Sequence, residues 1–127
     1  MDTNERKTLL KAQQGELDAV LMYNALADAV KDKTDAETFR RLAAEEGRHA
    51  AVFKNLTNRT LQPKKTLATL LPILYKLLGR KRLYPIIAKF EYGAVDTYAP
   101  VAERFPEVQS VKDDEKRHGD TVNGLLG

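Results

Sequence analysis

The sequence predicts an all-α protein, an antiparallel four-helix bundle with a short crossover helix between helices 2 and 3. Apolar residues recur at steps of three and four along four long stretches, which is the period of a helix that buries one face. No stretch of useful length alternates in the manner of a β-strand. A chain of 127 residues, of which 43% are hydrophobic, is long enough to fold as one domain around one core.

The four long stretches define the bundle helices in chain order. We expect the first helix over residues 4–31. The second should begin at residues 34–37, because the Thr and Glu at the two ends of this segment can form a capping box. The third should follow Pro85, a residue that the first turn of a helix tolerates, and the fourth should begin near Pro106. Pro100 should bend the third helix or end its regular hydrogen bonding.

A middle segment connects two helical hairpins, which we expect at about residues 4–57 and 84–126 within a single domain of all 127 residues. The crossover, residues 58–83, contains an amphipathic helical stretch at about residues 65–78, and Gly79 follows it as a stop signal. A connection of this length makes the second and third helices parallel, as in bundles with one long crossover.

The second hairpin repeats the polar positions of the first. A constant offset of 75 relates the first helix to the third, and an offset of 69 relates the second to the fourth. The repeat therefore predicts the same polar residues at matching depths in both hairpins. The pairs are Glu16 with Glu91, Tyr23 with Tyr98, Glu46 with Glu115, and His49 with His118.

Both histidines of the chain lie in the pattern Glu-x-x-His, so each pair shares one helix face and can bind one centre together. Two such pairs and one inward glutamate from each remaining helix match the ligands of a carboxylate-bridged di-iron or di-manganese site. We expect two iron ions, with manganese as the alternative, because both metals accept carboxylate and imidazole. The other interpretation is two partly exposed Glu–His surface pairs. The predicted ligands are Glu16, Glu46, His49, Glu91, Glu115 and His118.

Two further carboxylates are expected to support the histidines. A metal-bound histidine usually donates its free N–H to a carboxylate or a carbonyl. Glu45 and Asp114 each directly precede a predicted ligand glutamate. We therefore expect Asp114 to contact His49 and Glu45 to contact His118 across the bundle. The alternative for both carboxylates is a solvated helix position.

Two tyrosines and two glycines lie near the predicted ligands. Tyr23 and Tyr98 follow Glu16 and Glu91 by about two helical turns, so they could hydrogen-bond a ligand carboxylate or supply an electron to oxidised iron. Ordinary core packing is the alternative for both tyrosines. Gly47 and Gly93 are poor helix formers, and close helix packing is favoured over room for oxygen beside the metals.

With these motifs, Glu16, "EEGRH" at residues 45–49, Glu91 and "DEKRH" at residues 114–118, the chain resembles the ferritin-like di-iron carboxylate superfamily, nearest to its rubrerythrin branch. The resemblance covers essentially the whole chain and implies iron and chemistry with O2 or H2O2. Rubrerythrins have a cysteine-rich rubredoxin domain that supplies electrons. This chain has no cysteine, so it departs from rubrerythrins in lacking that domain. It also has Ala94 where rubrerythrins have a further glutamate, so the site is closer to a plain six-ligand ferroxidase centre.

The resemblance implies a di-iron oxidoreductase, either a peroxidase or a ferroxidase, in oxidative-stress defence or iron handling. A peroxidase would need an external electron donor. The alternative is a non-catalytic metal-binding or sensor module associated with a membrane metal transporter. Residues 54–89 motivate it, because they include nine Lys or Arg and no Asp or Glu next to apolar residues.

For partners, we expect a homodimer formed through the apolar crossover face, and we favour it over membrane contact. No nucleic acid is expected, because no recognition helix or aromatic and basic platform is present. The absence of cysteine fits a reducing compartment, and the N-terminus lacks the apolar segment of a signal peptide. These two features predict a cytoplasmic protein.

Overall fold

The computed structural model describes residues 1–127 and consists of five α-helices. The first hairpin is formed by α1 and α2 and the second by α4 and α5, while α3 crosses over between them and packs mainly on α1. This arrangement confirms the all-α bundle with a crossover helix between helices 2 and 3. The helices are α1 (Thr3–Ala29), α2 (Lys33–Thr57), α3 (Thr66–Leu78), α4 (Arg80–Ala102) and α5 (Pro106–Gly124).

The capping box predicted for the second helix is wrong. The N-cap of α2 is Asp32, and its carboxylate accepts a hydrogen bond from the backbone N–H of Asp35 at 2.9 Å. Aspartate caps a helix as well as threonine does, so the helix begins earlier than predicted. A reciprocal capping box occurs instead on α1, where Asp2 and Glu5 each accept from the other's backbone N–H.

The helix predicted to follow Pro85 begins earlier, at Arg80. Gly79 has a φ of 74°, a left-handed conformation that only glycine adopts readily, and it connects α3 directly to α4. Its N–H bonds to the carbonyl of Tyr75, and its carbonyl accepts from the N–H of Leu83. Because one residue serves both helix ends, no loop is needed, and Pro85 lies inside α4 rather than at its start.

Pro100 lies in the last turn of α4, which ends at Ala102. The N–H groups of Arg104 and Phe105 both bond to the carbonyl of Val101, so the regular bonding stops within one turn of the proline. This outcome agrees with the prediction that Pro100 ends the regular bonding of its helix. None of the five helices is long and apolar enough to cross a bilayer.

Two apolar clusters fill the two ends of the bundle. In one, Phe39 stacks on Tyr23 at 5.8 Å between ring centroids and meets Tyr84 edge-on at 5.2 Å. In the other, Phe53 meets Tyr98 edge-on at 5.3 Å. Along each long helix the buried glutamates and histidines fall between residues of these two clusters, so the core has a polar layer enclosed by two apolar ones.

A buried carboxylate outside the polar layer forms hydrogen bonds between the first hairpin and the second. Asp35 accepts hydrogen bonds from Arg80 at 2.9 and 3.0 Å and from the hydroxyl of Tyr84 at 2.6 Å. Arg80 also donates to the carbonyl of Leu125 at 2.8 Å, near the end of the chain. The sequence gives no sign of this network, because an aspartate in a first helical turn is equally expected to face solvent.

Candidate metal centre

All six predicted ligands lie in the polar layer, and none is more than 6% exposed. They form two overlapping groups, and within each group one donor atom per residue lies within 4.8 Å of the others. Both groups include Glu46 and Glu115. The first group is completed by Glu16 and His49, and the second by Glu91 and His118. Each group therefore has one imidazole and one carboxylate of its own and shares two carboxylates with the other.

Both imidazole rings direct Nδ1 at the carboxylates. His49 Nδ1 lies 3.0 Å from Glu115 Oε1, 3.1 Å from Glu46 Oε1 and 3.6 Å from Glu16 Oε2. The two rings stack with their centroids 5.5 Å apart. The second histidine repeats the arrangement, with Nδ1 at 3.1 Å from Glu46 Oε1, 3.4 Å from Glu115 Oε1 and 3.7 Å from Glu91 Oε2.

The outer ring nitrogens meet the two supporting carboxylates in the pairing expected from the sequence. His49 Nε2 lies 2.8 Å from Asp114 Oδ2, and His118 Nε2 lies 3.1 Å from Glu45 Oε1. An ionised carboxylate can only accept a hydrogen bond, so the Nε2 atom of each ring must carry the proton that it donates. Once Nδ1 is deprotonated, the imidazole in this tautomer would present the lone pair of Nδ1 to a metal ion among the carboxylates.

Arg117, whose side chain is 52% exposed, connects these outer carboxylates. Its Nη2 donates to Glu45 Oε1 at 2.6 Å and to Asp114 Oδ1 at 3.0 Å. Partial burial alone would raise the pKa of both carboxyl groups, but their hydrogen bonds with Arg117 and a histidine lower both pKa values below the ordinary range. Both groups are therefore ionised at neutral pH and can hold the Nε2 protons.

Four buried polar atoms of the cluster make close contacts but no hydrogen bond of regular geometry: Glu16 Oε2, Glu91 Oε2, Glu115 Oε1 and His118 Nδ1. An unsatisfied buried polar atom costs about 1–3 kcal/mol, so four in one place require an explanation. Cations between the carboxylates would satisfy all four at once. Four carboxylates would also balance the charge of two divalent ions, so the donor set fits such a pair.

Without metal, the cluster retains protons. Burial raises the pKa of Glu16 well above the ordinary range and raises that of Glu91 to about 7. Burial would lower the pKa of His118, but the carboxylates of Glu115, Glu46 and Glu91, which approach its Nδ1 to within 3.7 Å, raise it to about 12. Burial likewise opposes protonation of His49, but the neighbouring carboxylates of Glu115, Glu16 and Glu46 raise its pKa. The protons compensate part of the negative charge that metal ions would otherwise neutralise.

These shifts predict how the stability of the metal-free protein depends on pH. At Glu91 the folded protein binds more protons than the unfolded chain between pH 4.5 and about pH 7. At His118 it does so between pH 6.5 and about pH 12. Both contributions to stability are therefore lost as the pH rises. We expect the free energy of unfolding, measured by urea titration of metal-free protein, to fall between about pH 5 and pH 9.

Added metal should act in the opposite direction, because a metal binds only the deprotonated ligands. The increase in unfolding free energy on adding Mn(II) should therefore grow over the same pH range. A metal-free protein that becomes more stable from about pH 5 to pH 9 would contradict the assignment of protons to this cluster.

Two tyrosine hydroxyls bind the carboxylates that the two groups do not share. Tyr98 Oη donates to Glu16 Oε1 at 2.9 Å, and Tyr23 Oη donates to Glu91 Oε1. Burial and then the neighbouring carboxylates raise the pKa of both phenols, so both stay protonated and act as donors. Both tyrosines therefore hydrogen-bond a cluster carboxylate and also pack in the apolar clusters, while the supply of an electron to oxidised iron stays a prediction.

Close helix packing, the explanation favoured for Gly47 and Gly93, is wrong. A Cβ atom at Gly47 would meet only Val20, at an ordinary 3.9 Å, and one at Gly93 would meet nothing within 4 Å. The close approach occurs at Gly119 instead, where the ring of Tyr92 lies in the space that a Cβ atom would need. The repeat gave no hint of this contact, since it depends on how α4 and α5 pack.

The fold and the site together define a class of protein, helical bundles whose core holds a buried cluster of carboxylates and histidines that could bind metal ions. The sequence model of the family described as Rubrerythrin matches residues 7–126. The chain therefore belongs to the rubrerythrin family, a ferritin-like di-iron family. No curated protein and no solved structure matches the chain.

Proposed function

We propose that the chain binds two iron ions in this cluster and uses them in redox chemistry with O2 or H2O2. The observation that carries the proposal is the pair of overlapping groups, in which four buried oxygen and nitrogen atoms make no hydrogen bond within the protein. Membership of a di-iron family supports iron over manganese. The donor set of carboxylates and imidazoles accepts either metal, so this preference rests on the family alone.

When bound, two ferrous ions can supply the two electrons that reduce O2 to H2O2, or H2O2 to water. The shared carboxylates of Glu46 and Glu115 would hold both ions close enough to act in one two-electron step. The remaining carboxylates are oriented by Tyr23 and Tyr98, which fix one oxygen of each and leave the other free for metal. The outer carboxylates hold each imidazole in the tautomer that binds metal.

Either peroxidase or ferroxidase activity would use this ligand set. No cysteine is available to carry electrons within the chain, so a peroxidase would draw them from an external donor. Ala94, in place of a further glutamate, lines the cavity beside the cluster and adds no seventh carboxylate. This difference supports a plain six-ligand ferroxidase centre and argues against movement of an iron between ligands during the reaction.

The test is stopped-flow mixing of Fe(II)-loaded protein with O2 and, separately, with H2O2. We expect a rapid rise in near-ultraviolet absorbance as ferric iron forms, and a variant lacking a shared carboxylate, Glu115→Ala, should lose it. Glu107→Ala is the matched control, because it removes an exposed glutamate from the same helix. A faster reaction with H2O2 would support a peroxidase, and no absorbance change with either oxidant would contradict both activities.

A second candidate is a metal-binding module that acts beside a membrane. Ile73 and Leu77 on α3 are 51% and 75% exposed, and nearby basic residues could contact anionic lipid. A homodimer would cover the same two side chains, and we favour it as the partner of this face. Co-sedimentation with anionic vesicles distinguishes the homodimer from the membrane-associated module. The homodimer predicts no co-sedimentation, whereas a module that acts at a membrane requires it.

A further inference from the structure

An apolar cavity of about 460 Å³ lies between α1, α3 and α4, directly beside the candidate metal centre. Its wall is formed by aliphatic side chains from the crossover helix and from α4, including Leu71, Leu74, Leu83 and Ile87. Its inner end reaches the cluster glutamates and the two tyrosines that bind them. The volume and lining are those of a site for a small, largely apolar molecule.

The cavity continues into an open groove of about 710 Å³ between α1 and α4, to which α3 contributes no lining residue. The two spaces share five lining residues, among them Gly15, Phe90 and Ala94. The charged side chains of the groove are Lys11 and Lys89, and neither makes an ion pair. A ligand that fills both spaces therefore meets an apolar wall under α3 and positive charge outside it.

Small residues keep the passage between the two spaces open. A Cβ atom at Gly15 or Gly93 would meet nothing within 4 Å, so the helices are not in contact there. Phe90 stands at the junction with 74% of its surface exposed. Leu70 and Ile86, each 43% exposed, line the same cavity, so the three side chains form an exposed apolar patch of the kind that marks a binding site.

We propose that this cavity and groove bind a medium-chain fatty acid, with the alkyl chain under α3 and the carboxylate at Lys11 and Lys89. Charge complementarity selects this occupant over a second copy of the chain. The two charged side chains of the groove, Lys11 and Lys89, are both basic, so two copies that face each other across this groove would bring like charges together. Binding requires no redox step and does not depend on which metal the cluster holds, so it goes beyond the proposed activity.

The proposal is tested by isothermal titration of the purified protein with dodecanoate, kept below its micelle concentration. We expect one saturable site per chain, with weaker binding of dodecanol because it lacks the charge. Gly15→Leu should weaken dodecanoate binding by about tenfold or more, because the new side chain fills the passage. Gly124→Leu is the matched control, since a Cβ atom there also meets open space, at the end of α5 outside both spaces.

Charge reversal tests the position of the head group. Lys89→Glu should weaken dodecanoate binding while leaving dodecanol unchanged, and Lys33→Glu, on an exposed lysine outside the groove, should affect neither ligand. Absence of saturable dodecanoate binding, or equal affinity in Gly15→Leu and wild type, would overturn the proposal. So would a stable dimer that dissociates on Phe90→Ser and does not bind dodecanoate, because the occupant would then be a second copy.

Discussion

Replacing His118 with alanine is expected to lower the bound metal from about two ions per chain to about one. His118 belongs to the second group of candidate ligands only, whereas the first group keeps Glu16, Glu46, His49 and Glu115. The remaining group still offers one imidazole and three carboxylates, so it should hold its ion. Metal analysis of protein reconstituted with Fe(II) under anaerobic conditions and then desalted measures the change.

Removing a shared carboxylate should have a larger effect. Glu46 and Glu115 belong to both groups, so Glu46→Ala or Glu115→Ala should reduce the bound metal to well below one ion per chain. Glu37→Ala, at an exposed position of the same helix as Glu46, is the matched control and should keep both ions. Equal metal content in His118→Ala and Glu115→Ala would contradict the division into shared and separate ligands.

The largest loss of stability is expected for Phe39→Ala. This side chain is fully buried, and its ring lies between Tyr23, which binds a cluster carboxylate, and Tyr84, which binds Asp35. Truncating a buried phenylalanine costs about 3–5 kcal/mol, because burial is lost and the surrounding side chains close the cavity only partly. Urea unfolding of metal-free protein at a fixed pH measures the difference in unfolding free energy.

Leu77→Ala is the control for this substitution, because it also removes a large apolar side chain from a helix but at a position 75% exposed. Its effect should stay within about 0.5 kcal/mol. A loss of less than about 1 kcal/mol for Phe39→Ala would mean that the apolar cluster around it does not hold the hairpins together. Tyr23 stacks on Phe39 and hydrogen-bonds the candidate ligand Glu91. The metal content of Phe39→Ala would therefore show whether Tyr23 keeps its position without the Phe39 ring.

The candidate ligands could be found from the sequence because the constraint that identifies them is local. Residues three apart share a helix face, so Glu46 with His49 and Glu115 with His118 had to point the same way once the helices formed. Burying these groups without partners would be costly, which made an inward glutamate or histidine informative in an apolar stripe. The internal repeat then related each hairpin's polar residues to the other's.

The sequence by itself thus determined the helical bundle, its crossover and the set of polar residues in its core. Only the tertiary structure decided which of these residues form each group, that Arg117 connects the outer carboxylates, and that Asp35 binds Arg80 and Tyr84. It also decided that the space beside Gly15 and Gly93 is open. The physical reason is that contacts within a helix follow from residue spacing, whereas contacts between helices depend on the rotation, spacing and register with which they pack.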